Sequence, residues 1–165
     1  MNILSKKLLR DVEPLMGVLF VCADNARCSL IAEALLRDQA MPGVRAFSAG
    51  SRPADHADSF TISALMLAGL ETEGLWPKDW QSFMDRIPAV INVVVSMGDD
   101  VAIDIGHGFS EHVEYFVWPD PHSWDRTATR HHGVWRDIQV LRPRIDALCE
   151  DLRAMRELNL PSGNH

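Results

Sequence analysis

At 165 residues the chain has room for one domain with a sizeable core, and its 47% hydrophobic content is that of an ordinary globular protein. A net charge of −7 argues against a nucleic-acid-binding protein and against docking on an anionic membrane surface. Three cysteines make no disulfide framework of the secreted type and no apolar run approaches transmembrane length, so a reducing cytoplasm is the expected setting.

Residues 1–16 read as a short N-terminal leader, because Asp11, Glu13 and Pro14 interrupt any signal-peptide core. A single domain is expected over 17–158 and a frayed tail over 159–165. Val18-Leu-Phe-Val21 is a continuous apolar run of the kind a buried parallel strand needs. The polar stretch Cys22-Ala23-Asp24-Asn25-Ala26-Arg27-Cys28 follows as a tight loop. Ser29 to Arg37 then places Leu30, Ile31, Ala34 and Leu35 on one helical face. Met41-Pro-Gly43 stops this helix, and Val44 to Ser48 alternates as a second strand closed by Ala49-Gly-Ser-Arg-Pro53. His56 to Gly69 reads as a helix capped by Asp55 or Asp58. Lys78 to Arg86 reads as a short helix with Trp80 and Phe83 inward. Ile87 to Ser96 is the most strand-like run, rich in β-branched residues. A loop over Met97–Asp100 leads into a short helical or irregular piece ending at Gly106. Glu111 to Val117 alternates as a fourth strand, and Trp118-Pro-Asp-Pro-His122 is a rigid loop. From about Thr129 to Leu158, Val134, Ile138, Leu141, Ile145, Leu148 and Leu152 recur at spacings of three and four, one long amphipathic helix in which Pro143 is a candidate kink.

This alternation predicts an α/β fold: three layers, with a four-stranded parallel sheet covered by helices on both faces. Ligands bind such sheets beyond the carboxyl ends of the strands, which is where Cys22, Ser48, Met97 and Trp118 fall. A strand end, a tight loop and a helix start aim several backbone N–H groups at one point, a site for an anion. A cysteine there feels the positive end of the helix dipole, which favours its thiolate and makes it a nucleophile. The competing reading of Cys22 is a buried, inert strand-end thiol.

Val-Leu-Phe-Val-Cys, an Asn three residues after the Cys, a Ser seven after it, and then Ala-Glu-Ala resemble the low-molecular-weight protein tyrosine phosphatase family. More narrowly they resemble the arsenate reductases of that fold. Phe47-Ser-Ala-Gly-Ser51, Pro77-Lys-Asp-Trp-Gln-Ser-Phe83 and Trp118-Pro-Asp-Pro121 match further family segments in order, from about Gly17 to Leu152. The resemblance implies Cys22 as nucleophile, Asn25 as a brace of the loop, Ser29 as a donor to the cysteine sulfur and Asp120 as general acid. It implies no cofactor and no metal. The ligand would be phosphate, arsenate or a phosphorylated substrate, with a thiol reductant as partner in the reductase version. Ala23, Asp24, Asn25, Ala26, Arg27 and Cys28 would line the oxyanion.

Two departures stand out. The family's loop carries an arginine six residues after the cysteine, a bidentate clamp on the oxyanion. Here that position is Cys28, and Arg27 stands one earlier, an exchange of neighbours that re-aims the guanidinium. Arg27 remains the candidate clamp if its length lets it reach. The second cysteine expected of thioredoxin-coupled arsenate reductases is also missing from Val95-Ser-Met-Gly-Asp-Asp100. Cys149 reads as a buried thiol on the last helix, which leaves Cys28 as the candidate redox partner of Cys22, provided their Cα atoms lie within roughly 7 Å. His107, His112, His122, His131 and His132 lack metal-ligand spacing, and Trp135 is expected to pack in the core. Two readings follow: a Cys22-dependent phosphatase or arsenate reductase, or a weakly active member serving as an oxyanion-binding or regulatory module.

Overall fold

The computed structural model describes residues 16–86, 90–105, 113–119 and 130–159. In chain order the elements are β1 (Met16–Cys22), α1 (Cys28–Asp38), β2 (Val44–Gly50), α2 (Ser59–Leu67), a 3₁₀ segment (Trp80–Arg86), β3 (Ile91–Met97), α3 (Asp99–Ile105), β4 (Glu114–Trp118) and α4 (Arg130–Asn159). The four strands form one sheet in the order β2-β1-β3-β4, with every pairing parallel. β1 is central, and its apolar run is buried on both sides: Val18, Leu19, Phe20 and Val21 are each 0% exposed.

Strand alternation divides the core. Val18, Phe20, Val93 and Val95 pack with α1, α2 and α4, whereas Leu19, Val21 and Val94 pack with Phe83, Val101 and Ile105 on the opposite face. Ile91 belongs to the second group although it has the same parity as Val93. The pairing of β1 with β3 steps from Gly17↔Ile91 to Val18↔Val93, so Asn92 is the extra residue of a bulge. Its side-chain Oδ1 accepts the Gly17 N–H at 3.0 Å, which satisfies the ladder donor at the irregularity.

The expected elements form, with shifted ends. β2 runs on to Gly50 because Cys22 pairs with Gly50. Asp58, not Asp55, caps α2, accepting from Thr61 N (3.1 Å) and Thr61 Oγ1 (2.8 Å). Trp118 belongs to β4, opposite Met97, and its ring lies 5.8 Å from that of Phe20. The expected strand residues 87–89 and 111–112 lie outside the described residues, as do the leader over 1–15 and residues 160–165.

α4 forms where the spacing placed it, and the helix continues past Pro143. Val134, Ile138, Leu141, Ile145, Leu148 and Leu152 are all buried on its sheet-facing side. Trp135 is the exception to the expected packing. At 43% exposed it sits next to the buried stripe, because the face that includes Val134 and Ile138 carries residue 135 about 100° away. Among the described residues, no helix is long and apolar enough to cross a membrane. Leu141 is fully buried at the centre of the α4 contact. Truncation by Leu141→Ala is expected to lower stability by about 2–5 kcal/mol, read as a fall in the urea midpoint at unchanged slope.

Candidate active site

β1 ends at Cys22 on the carboxyl edge of the sheet, and α1 begins at Cys28, so the five intervening residues must turn the chain within one loop. Asn25 makes that turn possible. Its φ is +50°, a left-handed conformation that asparagine tolerates better than most residues, and its side chain is fully buried. The Asn25 Nδ2 donates to Ser29 Oγ at 2.7 Å, and its Oδ1 accepts the Lys78 N–H at 2.8 Å. One amide thus ties the start of α1 to the segment that leads into the 3₁₀ turn.

The other side of the loop is held by the turn after β2. Ser51 N donates to Cys22 O (3.0 Å), Arg52 N to Ala23 O (2.7 Å) and Ala54 N to Asp24 O (2.8 Å). Gly50 permits this approach, since a Cβ there would lie 2.9 Å from Ala23 O and 3.1 Å from Asn25 Cβ.

Cys22 Sγ sits in the concave side of the loop. Ser29 Oγ is 2.9 Å away and Asn25 N donates to the sulfur at 3.2 Å. Ser29 Oγ also accepts from Asn25 Nδ2, so one hydroxyl links the loop amide to the sulfur, with either Sγ or Oγ able to donate between them. The thiol itself is not activated in the way the helix dipole suggested. Burial pushes it from its ordinary 9.0 up to about 11; the Ser29 and Asn25 hydrogen bonds pull the other way, and the Asp24 carboxylate adds to the rise. Asp24 Oδ1 lies 3.7 Å from Sγ, within reach of the thiol proton, and accepts the Ala26 N–H at 3.0 Å. The carboxylate therefore lies beside the sulfur, and burial favours the neutral Cys22 thiol.

Behind the loop is a buried polar cluster. Glu33, 2% exposed, accepts from Ser48 Oγ and from Arg37 Nη2, and lies 3.9 Å from Lys78 Nζ. Burial raises the Glu33 carboxyl above its ordinary range against the pull of Ser48, Lys78 and Arg37. Burial likewise lowers the Lys78 ammonium. Ser48, expected at the ligand edge, serves this cluster instead. Sequence periodicity gave no signal for it beyond a glutamate among alanines on an otherwise apolar helix.

Arg27 takes a different course from its expected one. Its Nε donates to Asp137 Oδ2 on α4 at 2.7 Å, with side chains 14% and 4% exposed, and its guanidinium lies against Gly133, where any Cβ would collide with it. One residue earlier than the family's position, the side chain leaves the loop on the α4 side and is absent from the described lining of the cavity at Cys22. Cys28 is in that lining, and its thiol is 3.9 Å from Asp137 Oδ2. The cavity, about 630 Å³, opens above Cys22 between the loop, the turn after β2 and the Met97–Asp100 segment; Pro119 forms part of its rim. Asp120, the expected acid, lies outside the described residues, as do His107, His112 and His122; of the side chains of His131 and His132 nothing is described. Cys149 is 1% exposed on α4, and its burial raises the thiol. Among the described residues, no group of three or more His, Cys, Asp or Glu is arranged to hold a metal ion.

A strand-end cysteine in a seven-residue cradle, on a β2-β1-β3-β4 parallel sheet, is matched by a family model for low molecular weight phosphotyrosine protein phosphatases over residues 17–117. The chain belongs to that family. Solved structures similar to it include a thioredoxin-dependent arsenate reductase from Corynebacterium glutamicum (24% identity, TM-score 0.69, 92% of this chain and 70% of that one). The YwlE arginine phosphatase from Geobacillus stearothermophilus is similar at 22% identity, TM-score 0.69, over 90% of this chain and 99% of that one. A low molecular weight protein tyrosine phosphatase from T. tengcongensis matches at 19% identity, TM-score 0.66, over 82% and 99%. These likenesses establish the fold of the low molecular weight phosphatases and leave the activity to the site.

With its thiol near 11, roughly one Cys22 in ten thousand is thiolate at pH 7, and the fraction grows tenfold per pH unit below that value. Alkylation of Cys22 by iodoacetamide is therefore expected to be slow at neutral pH and to rise tenfold per unit toward pH 11. Asp24→Asn removes the nearby negative charge and is expected to move the profile to lower pH. Mass spectrometry of tryptic peptides reads Cys22 separately from Cys28, since cleavage after Arg27 divides them.

Proposed function

We propose that this chain hydrolyses a phosphomonoester through a covalent phosphocysteine at Cys22. The observation that carries the reading is the placement of the Cys22 sulfur. It receives the Asn25 N–H and lies 2.9 Å from Ser29 Oγ, at the mouth of a cavity large enough for a phosphoryl group and its leaving group. As Sγ attacks phosphorus, the S–P bond forms and the bond to the leaving oxygen breaks. The thiol proton passes to Asp24 Oδ1, and Asp120 protonates the leaving oxygen. Water then gives a proton to the Asp120 carboxylate as it attacks the phosphocysteine, the S–P bond breaks, and Asp24 returns its proton to the departing sulfur, so that inorganic phosphate is released with the Cys22 thiol and the Asp120 acid restored. The role of Asp120 is supported by Pro119, which lies one residue before it and on the rim of the same cavity. A nucleophile that works as a thiol suits the cytoplasm, and Cys22, Cys28 and Cys149 take part in no disulfide.

Arsenate reduction is the second reading, favoured by Cys28, which lines the same cavity as Cys22. There Cys22 would attack arsenic with loss of water. Cys28 would then attack Cys22 Sγ, two electrons would pass to arsenic to release arsenite, and a thiol reductant would reopen the Cys22–Cys28 disulfide. Three results separate these readings. Hydrolysis of an aryl phosphate by wild type, abolished in Cys22→Ser and cut by about two to four orders of magnitude in Asp120→Asn, is the expected outcome. Arsenate-dependent oxidation of a thiol, lost in both Cys22→Ser and Cys28→Ser, selects the reductase. No turnover in either assay from folded protein that binds phosphate overturns both and leaves an oxyanion-binding module.

A further inference from the structure

A loop that has turned its own arginine away still has to hold an anion. The cavity makes the requirement sharper, because Asp24, Asp99 and Asp100 all line it, and three carboxylates around a neutral thiol repel an incoming oxyanion. The Arg27 guanidinium is spent on Asp137 and seated against Gly133. The Lys78 ammonium lies in the cluster beneath the loop, 3.9 Å from Glu33. Among the described residues that line the cavity, one side chain is cationic: Arg52.

We propose that Arg52, from the turn after β2, supplies the guanidinium that binds the oxyanion over Cys22 in place of the loop arginine. Three features fit it for this. Its backbone is fixed to the loop, since Arg52 N donates to Ala23 O at 2.7 Å and Ser51 N to Cys22 O at 3.0 Å, so the root of the side chain is positioned relative to the nucleophile. Its side chain is 75% exposed and makes only a long contact, 4.0 Å from Nε to Asp104 Oδ2 on α3, which an arriving dianion can displace. Its guanidinium is planar and permanently charged, with donors spaced for two oxygens of a tetrahedral anion. The clamp has thus moved from one wall of the cavity to another, and the charge the loop lost to α4 is restored from β2. This assignment rests on the oxyanion reading of the Cys22 site.

The test is calorimetric titration of the full-length chain with tungstate and with inorganic phosphate, for wild type, Arg52→Ala, Arg52→Lys and Arg45→Ala. Arg45 is an exposed cation at the other end of β2 and controls for net charge. The expected result is a loss of roughly tenfold to a hundredfold in affinity for Arg52→Ala, partial recovery in Arg52→Lys, little change in Arg45→Ala, and thermal midpoints alike in all four. Equal affinity in wild type and Arg52→Ala overturns the Arg52 assignment and leaves the Cys22 site standing. No binding by folded wild type overturns the oxyanion reading together with the role of Arg52. A fall in Arg52→Ala matched by Arg45→Ala reduces the effect to bulk charge and overturns the assignment alone.

Discussion

The site depends on the side-chain amide of Asn25. A residue at φ +50° with no exposed surface sits at the tightest point of the loop, and both ends of its amide are engaged: Nδ2 to Ser29 Oγ, Oδ1 to the Lys78 N–H. Each bond has a second consequence. The first fixes Ser29 Oγ beside the Cys22 sulfur, and the second draws Lys78 over Glu33, which in turn accepts from Ser48 on β2 and Arg37 on α1. Loop, helix and two neighbouring segments are therefore joined through one buried amide. Leaving any of its partners unsatisfied at this depth would cost more than the bond itself contributes, which is why the network acts as a unit.

The chemistry of the thiol is a contest between that network and its own burial. Donors aimed at sulfur favour the anion, exclusion of water disfavours it, and here exclusion wins with help from Asp24. A carboxylate two residues after the nucleophile has two roles that oppose each other. It accepts the Ala26 N–H and so rigidifies the turn, yet it also places negative charge where the substrate's own must go. It is at the same time an acceptor within reach of the thiol proton. The Cys22 sulfur is consequently held toward its neutral thiol.

Most of the fold was legible in the sequence because two signals were strong. Val18 to Val21 had no polar interruption, and the apolar residues of α4 kept their spacing across Pro143. Asn25 and Ser29 could be singled out beside Cys22 only through the family resemblance, and the structure gathers all three within one local turn. What failed to show involved contacts between distant parts. The bulge at Asn92 depends on pairing with Gly17; Trp135 lies beyond the edge of a buried stripe whose width no spacing defines; and the direction of Arg27 depends on Asp137, 110 positions away. The same holds for Arg52, an exposed turn residue in the sequence and a wall of the cavity in the structure. The activation of Cys22 was overestimated for a related reason: a helix start is visible in a sequence, but the depth at which it is buried is not.

The pairing of Arg27 with Asp137 also bears on the order in which the molecule is assembled. β1, the loop, α1, β2 and the Lys78 segment contain the whole cradle of the sulfur, so that half of the site can form from the first part of the chain. The outer wall of the loop is fastened to α4, the last element described, across a sequence separation that makes it a late, entropically costly contact. On a growing chain, a nascent Arg27 would still be a free cation beside the nucleophile until α4 docked and drew it away. The finished arrangement of charge around Cys22 thus depends on a contact 110 positions away and not on the loop that carries the cysteine alone.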